Sequence, residues 1–260
     1  MKPPKISIIT VTYNSEETLE ETIQSVVNQD YENKEYIIID GASTDKTLSI
    51  VEKYRDKIAV VVSEKDKGIS DAFNKGISKA TGDVVGIINS DDILLPGALS
   101  TVARFYSPDV DVYSGNVKIW NCDTGEYYKR VPDNEFHGFS NEFKSAHPSR
   151  FISRKAYTKY GVYNIDLRYK MDVDLLVRFL KRGASFVYID EFLTKFRVGG
   201  TSSDNVKKKR KDYYLYVTNN GGSKLDFYIL WCKANVRYYL KKISIALFGE
   251  KIRYKMQNNS

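Results

Sequence analysis

The chain is short of cysteine, of histidine and of long apolar runs, and each shortage excludes a class of protein. Only Cys122 and Cys232 occur in 260 residues. They make neither a disulfide framework nor a metal-ligand spacing, so a reducing compartment is the expectation. The two histidines are His137 and His147, and nothing beside either reads as a histidine metal site. No apolar run approaches the ~20 residues of a membrane-spanning helix. The opening MKPPKISIITVTYN turns into a strand without an apolar signal region. A cytoplasmic protein is expected, with peripheral attachment to the inner face of the cell membrane left open. There is no internal repeat.

What is present supports a folded core. Hydrophobic residues make up 42% of the chain, and its length suits one large α/β domain, alone or with an appendage. The net charge of +7 is unevenly spread. Residues 205–260 hold 13 Lys/Arg against 3 Asp/Glu, a net of +10, which leaves −3 on residues 1–204. The basic character therefore belongs to the tail.

The stretch from Ser63 to Asp92 organises the rest. After the charged run Glu64, Lys65, Asp66, Lys67 and the turn residue Gly68, Ile69 to Ala80 reads as a helix. Its stripe is Ile69, Ala72, Phe73, Gly76, Ile77 and Ala80. Val84 to Ile88 is a continuous apolar run, the pattern of a strand buried on both faces. It ends in Asn89-Ser90-Asp91-Asp92. Carboxylates at the carboxyl end of such a strand lie where open α/β sheets place ligands, and they are the donor type that Mg²⁺ or Mn²⁺ prefers.

Upstream, strands are expected over 5–12, 35–40 and 58–62. Helices are expected from Ser15 to Val27, with Ser15 as N-cap, and from Ser43 or Thr44 to Tyr54. This alternation predicts a doubly wound, mostly parallel sheet with helices on both faces. Thr12, Tyr13, Asn14, Asp40, Asp91 and Asp92 would then meet at one sheet edge. Downstream, a helix from Pro96 to about Tyr106 precedes short strands over 110–117, 118–120 and 127–131, around a turn at Cys122 to Gly125. Residues 132–149 read as irregular. Helices over 155–160 and 171–181 and strands over 186–189 and 192–196 follow. After Gly199 to Ser203 the basic tail begins, with a helix expected over 225–248.

At this point the sequence resembles the family 2 glycosyltransferases. The resemblance rests on ITVTYN (9–14), IIIDGASTD (37–45), EKDKGISDAFNKG (64–76), INSDD (88–92), HPSRF (147–151) and MDVDLLVR (171–178), in the family's order and spacing. It covers about residues 5–200 and implies a GT-A fold and sugar transfer with inversion. The domain reading is 1–204 for the transferase domain, split into a nucleotide half (5–92) and an acceptor half (93–204), with 205–260 as a basic amphipathic helical extension.

The resemblance implies that Asp40 contacts the base or ribose of a nucleoside-diphosphate sugar, UDP-linked by expectation. Asp40 could equally serve only to turn the chain. Thr12, Tyr13, Glu64, Asp66, Lys67, Gly68, Asp71, Asn89 and Ser90 would complete the nucleotide cradle. Asp91, supported by Asp92, would hold Mg²⁺ or Mn²⁺ on the diphosphate, while Ser-Asp-Asp before Pro96 also suits a helix cap. The chain departs from the family here, because relatives often carry a carboxylate where Asn89 stands. Asp172 matches the catalytic base, with Met171 where relatives often have glutamate. Asp172 and Asp174 face different directions on a helix, so only one can enter the cleft. His147 is a candidate acceptor or donor-sugar contact. Arg197 is a candidate phosphate contact ahead of a loop at Gly199-Gly200 able to close. His137 is left as a surface residue.

The implied acceptor is a hydroxyl of a glycan or lipid-linked oligosaccharide. The tail, with Lys233, Arg237 and Lys241 at four-residue spacing beside Trp231, Tyr238, Tyr239, Leu240 and Phe248, has three open readings: an anionic membrane surface, packing on the domain, or dimerisation. Two alternatives to transfer are a non-catalytic sugar-nucleotide scaffold, motivated by Asn89 and Met171, and a nucleotidyltransferase, for which TVTYNSEET lacks the Gly-rich phosphate loop. No nucleic-acid partner is expected, since the basic residues are confined to the tail without a recognised motif.

Overall fold

The computed structural model describes residues 2–120, 127–139, 141, 143–145, 147–197 and 209–248. The turn expected at Cys122 to Gly125, the loop at Gly199 to Ser203, and Lys207 and Lys208 lie outside them. Four strands form the first half: β1 (Ile6–Thr12), β2 (Lys34–Asp40), β3 (Val60–Ser63) and β4 (Val84–Ile87). They run parallel in the order β3-β2-β1-β4. Parallel neighbours need crossovers, supplied here by α1 (Leu19–Val27), α2 (Thr47–Lys53) and α3 (Ile69–Lys79).

The apolar runs are explained by burial on both faces. Alternate residues of one strand enter different cores: Ile9, Ile37, Ile39 and Val85 on one side, Ile6, Ile8, Ile38 and Val84 on the other. Each fully buried aliphatic side chain contributes roughly 1.5–3 kcal/mol. α3 lies so close to β1 that a Cβ on Gly76 would stand 2.4 Å from Ile9 Cγ2, which only glycine avoids.

Two helix starts differ from expectation. α2 begins at Thr47 without a side-chain cap, while Ser43, expected as a cap, donates its hydroxyl to Asp40. α1 starts at Leu19, four residues after Ser15, which instead heads a turn whose carbonyl accepts the Thr18 and Leu19 amides. The Ser15 hydroxyl is drawn across to Ser90, at 2.8 Å, while its amide is held by Thr47 Oγ1 at 2.8 Å. The serine thus ties the β1 loop to neighbouring loops rather than capping a helix.

The second half comprises β5 (Ile93–Leu94), α4 (Ala98–Phe105), β6 (Val112–Trp120), β7 (Tyr127–Arg130), β8 (Arg150–Ser153), α5 (Arg154–Tyr160), α6 (Met171–Lys181) and β9 (Phe186–Arg197). The sheet continues β4-β8-β6-β9-β5, with β7 on β6. β8 is antiparallel to both β4 and β6 and joins the halves. Four residues emerging from an irregular segment gave no periodicity to read. Two pairs of expected strands are instead single long strands, β6 and β9, continuous through an irregularity near Asn116.

The chain then forms α7 (Arg210–Asn219) and α8 (Lys224–Phe248). Tyr216, Val217, Phe227 and Leu230 are buried in the same core as Phe73, Val173 and Phe179. α7 and the first turns of α8 therefore pack on the domain, whereas Val236, Leu240, Ile243 and Leu247 farther along α8 are exposed.

Candidate active site

The carboxyl ends of the parallel strands create the first part of the site. Thr12, Asp40 and Ser63 lie in one cross-strand row. Asp40 is fully buried, and its carboxylate accepts the Ser63 hydroxyl at 2.6 Å and the Ser43 amide and hydroxyl at 3.0 and 2.5 Å. Thr12 Oγ1 is buried without a hydrogen-bond partner among the described residues. Tyr13, just beyond, is 63% exposed. Between the two loops, Asn14 and Ala42 both have positive φ, 47° and 63°. Asn14 tolerates this conformation, and its Oδ1 accepts the Thr44 amide at 2.9 Å. Alanine tolerates it less well, and such local strain is characteristic of functional turns.

Gly41 faces both Tyr13 and Asp66, since a Cβ there would lie 2.9 Å from Asp66 Oδ2 and 3.4 Å from the Tyr13 ring. Asp66 is in turn held by Lys75, at 2.7 Å, which also reaches Glu64 at 2.9 Å and Asp71 at 3.6 Å. Burial opposes the Lys75 charge, yet the bonds to Asp66 and Glu64 raise its pKa overall. Lys75 escaped the sequence reading as a site residue, although it lies within the 64–76 motif. The Lys67 amide donates to Asp71 at 3.0 Å, and Gly68, at φ 123°, leads into α3. The expected cradle residues Tyr13, Glu64, Asp66, Lys67, Gly68 and Asp71 are thus one connected group.

The second part follows β4. Asp92 is fully buried and turned inward: Asn89 Nδ2 donates to its Oδ2 at 3.2 Å, and Thr22 holds its carbonyl at 2.8 Å. Burial pushes its carboxyl well up, and the Asp91 charge adds to this. Asp91 is only part-buried, and burial raises it too, against the Arg197 charge. Arg197 ends β9, and its Nη2 meets Glu21 Oε2 at 2.5 Å. Its Nε, Asn89 Oδ1 and Asp92 Oδ1 are buried without partners among the described residues. Asp91 and the orphaned Asn89 and Asp92 oxygens are hard donors of the kind Mg²⁺ or Mn²⁺ takes. Among the described residues, no three or more His, Cys, Asp or Glu gather as a metal site, so phosphate oxygens and water would have to complete the coordination.

The third part is built on α6. Asp172, in its first turn, accepts the Val173 amide at 2.8 Å and a short bond from the Ser145 hydroxyl. Ser145 is held in place by Arg150, whose Nε donates to its carbonyl at 2.7 Å. Burial lowers the Arg150 pKa to about 9, opposed by Asp133 and Asp172. His147 stacks on Phe73 of α3 with ring centroids 5.0 Å apart. Burial lowers its pKa while the Asp172 charge opposes the change, and its Nε2 is without a partner among the described residues. Asp174 points elsewhere, taking Asn220 Nδ2 at 2.7 Å and lying 3.5 Å from Arg178. Met171 is a core residue that receives the Ser70 hydroxyl at 2.8 Å. His137, exposed beside Glu135, stands apart from all three parts.

The profile of the family described as Glycosyl transferase family 2 matches residues 7–162. The chain belongs to glycosyl transferase family 2. Family members similar to it include an uncharacterized glycosyltransferase of Methanocaldococcus jannaschii, 27% identical over 84% of this chain and 79% of that protein. Another is the putative teichuronic acid biosynthesis glycosyltransferase TuaG of Bacillus subtilis, 27% identical over 82% of this chain and 87% of its own length. Among solved structures, Staphylococcus aureus TarS 1–349 in complex with UDP-GlcNAc superimposes with a TM-score of 0.64 at 21% identity, covering 94% of this chain and 76% of that one. The Pyrobaculum calidifontis mannosyltransferase PcManGT, in complex with GDP-Man and Mn²⁺, gives 0.64 at 18% identity, over 91% and 70%. These likenesses show the fold, a mixed α/β GT-A architecture followed by C-terminal helices.

A residue of α7 that the sequence reading missed supports the candidate site from behind. Asp212 of α7 is buried, and its Oδ2 accepts the backbone amides of Arg168, Tyr169 and Lys170 at 2.7, 2.5 and 3.3 Å. It caps the segment that delivers Asp172. Acceptors for backbone amides leave no spacing signature, so only the fold reveals the pairing.

Proposed function

We propose that this glycosyltransferase moves a sugar, with inversion, from a nucleoside-diphosphate donor of the UDP type to a hydroxyl of a glycan or lipid-linked glycan. One observation carries the reading: Asp172 is fixed in the first turn of α6 by Ser145, beside the stacked His147, while Asp174 is occupied by Asn220 and Arg178. That arrangement supports reading Asp172, rather than Asp174, as the base. TarS was solved with UDP-GlcNAc and PcManGT with GDP-Man, both nucleoside-diphosphate sugars, which supports that donor class; the uridine assignment rests on the family resemblance.

The nucleoside would lie across Gly41 between Tyr13 and Asp66, with Asp40 and Thr12 beneath. Asp172 accepts the proton of the acceptor hydroxyl as that oxygen attacks the anomeric carbon from the face opposite the diphosphate. The bond to the diphosphate breaks, its electron pair leaves with the phosphate oxygen, and the new glycosidic bond has inverted configuration. Arg197 faces the charge that develops there. Asp91, with the Asn89 amide oxygen, would hold Mg²⁺ or Mn²⁺, and that ion supplies neutralisation of the leaving diphosphate. Asp172→Asn tests the assignment. Donor binding persists and transfer is lost; retained transfer would place the base elsewhere. Donor binding without transfer by the wild-type chain to any acceptor or water would instead support a scaffold role.

The setting proposed for this reaction is the inner membrane face. Among the described residues no helix is long and apolar enough to cross a membrane. The exposed apolar residues Val236, Leu240, Ile243 and Leu247 of α8 run beside exposed Lys233, Arg237 and Lys242. Flanks of one sign repel a second copy and attract anionic headgroups. Co-sedimentation of the full chain with anionic liposomes, as wild type and with Leu240, Ile243 and Leu247 each changed to Gln, tests this. Equal partitioning would remove it.

A further inference from the structure

A second surface, built by β6, β7 and β9, is sorted by strand alternation. Val117, Ile119, Tyr128 and Phe196 form an apolar cluster on one face. The other face carries Lys118, whose register partners are Lys129 on β7 and Lys195 on β9. Two residues along, Trp120 pairs with Tyr127 and Arg197 in the same way. The face therefore holds one row of three lysines and one row of Tyr127, Trp120 and Arg197.

Like charges placed directly opposite one another destabilise a sheet. Asp190 compensates Lys129 at 2.7 Å, but Lys118 and Lys195 have no carboxylate partner among the described residues. They lie over rings instead, Lys118 Nζ 4.3 Å from the Tyr127 centroid and Lys195 Nζ 3.2 Å from that of Trp120. Folding alone gives no reason to line up three ammonium groups across about 10 Å, two inter-strand spacings. A ligand with repeated anionic groups does. Aromatic faces suit the C–H faces of sugar rings, and ammonium groups suit carboxylate or phosphate. The surface also leads to the proposed transfer centre, since Arg197 lies 5.4 Å from the Trp120 centroid and Lys195 is the register partner of Ile93, two residues after Asp91.

We propose that this face binds the acceptor, and that the acceptor is an anionic saccharide bearing carboxylate or phosphate groups along its chain. The inference rests on the glycosyltransferase reading and adds the acceptor's chemical class to it. The test measures binding of three oligosaccharides of equal length to the full chain: an oligogalacturonate, a phosphate-bridged oligomer and a neutral glucan. At least one anionic oligomer binds ten-fold or more tighter than the glucan and weakens as salt is added. Which one separates carboxylate from phosphate recognition. The double variant Lys118→Gln, Lys195→Gln loses at least ten-fold of that affinity, with stabilisation by UDP and the melting temperature unchanged. Equal binding of the neutral glucan, no binding of either anionic oligomer, or undiminished binding by the double variant would overturn the proposal. So would tighter binding of oligouridylate than of either saccharide. Absence of UDP stabilisation in the wild-type chain would count against the donor reading, whereas saccharide failure with UDP binding intact counts against this inference alone.

Discussion

Asp212 accepts the amide of Tyr169 at 2.5 Å, three residues before Asp172. The bond means that a helix beyond the family motif positions the proposed base. Asn220 adds a second tie, holding Asp174 at 2.7 Å. Loss of a buried acceptor for several amides costs about 1–3 kcal/mol. Asp212→Ala is expected to lower the melting temperature and to cut kcat strongly, with donor affinity little changed. Hydrogen exchange should rise over 168–176 and stay unchanged over 84–92. Unchanged exchange over 168–176 would show that Asp212 does not hold this segment.

Lys75 gathers Glu64, Asp66 and Asp71. Lys75→Met leaves three carboxylates close together without their shared cation, which loosens the Asp66 side of the cradle. A donor affinity loss of about ten-fold is expected, equivalent to about 1.4 kcal/mol. Titration with UDP in the presence of Mn²⁺ checks it. A variant that binds as tightly as wild type would reduce Lys75 to a surface ion-pair role.

The pH dependence of stability carries the signature of His147. Burial holds its folded pKa below the ordinary value of about 6.5, so the unfolded chain takes up the proton first as pH falls. The stability associated with the neutral ring is therefore present above about pH 6.5 and is lost progressively below it. His147→Phe removes that contribution. Denaturant titrations between pH 7.5 and 5 should fall more steeply for wild type than for the variant, and equal slopes would contradict the assignment.

Gly41 separates cradle from core. Gly41→Ala places a Cβ 2.9 Å from Asp66 Oδ2, a side-chain end that can move. Donor affinity should fall with little change in melting temperature. The reverse pattern would mean that Gly41 serves the fold rather than the ligand.

How much was legible in the sequence depended on whether the signal was local. The row of Thr12 and Asp40 followed from two apolar runs that end in polar residues, because parallel strands align their carboxyl ends. Helical angle allowed only one of Asp172 and Asp174 into a cleft, and the family resemblance, not the angle, chose Asp172. β8 was hidden because Arg150 to Ser153 is short and its partners, β4 and β6, are distant in sequence. The lysine row depends on the register of three strands, so no single segment displays it. Met171 looked like a missing acid, yet it fills the core under Ser70. The start of the tail looked like a separate basic extension because composition reports charge, whereas Tyr216 and Val217 report packing.

Donor binding at the Asp91 edge of the sheet is the step on which the proposed function depends most. Thermal unfolding should be followed with UDP and Mn²⁺, with UDP and EDTA, and in Asp91→Ala. A ligand that binds only the folded state raises the melting temperature by mass action. Stabilisation by UDP is expected to require the metal and to disappear in Asp91→Ala. Stabilisation equal in EDTA, or undiminished in the variant, would contradict it.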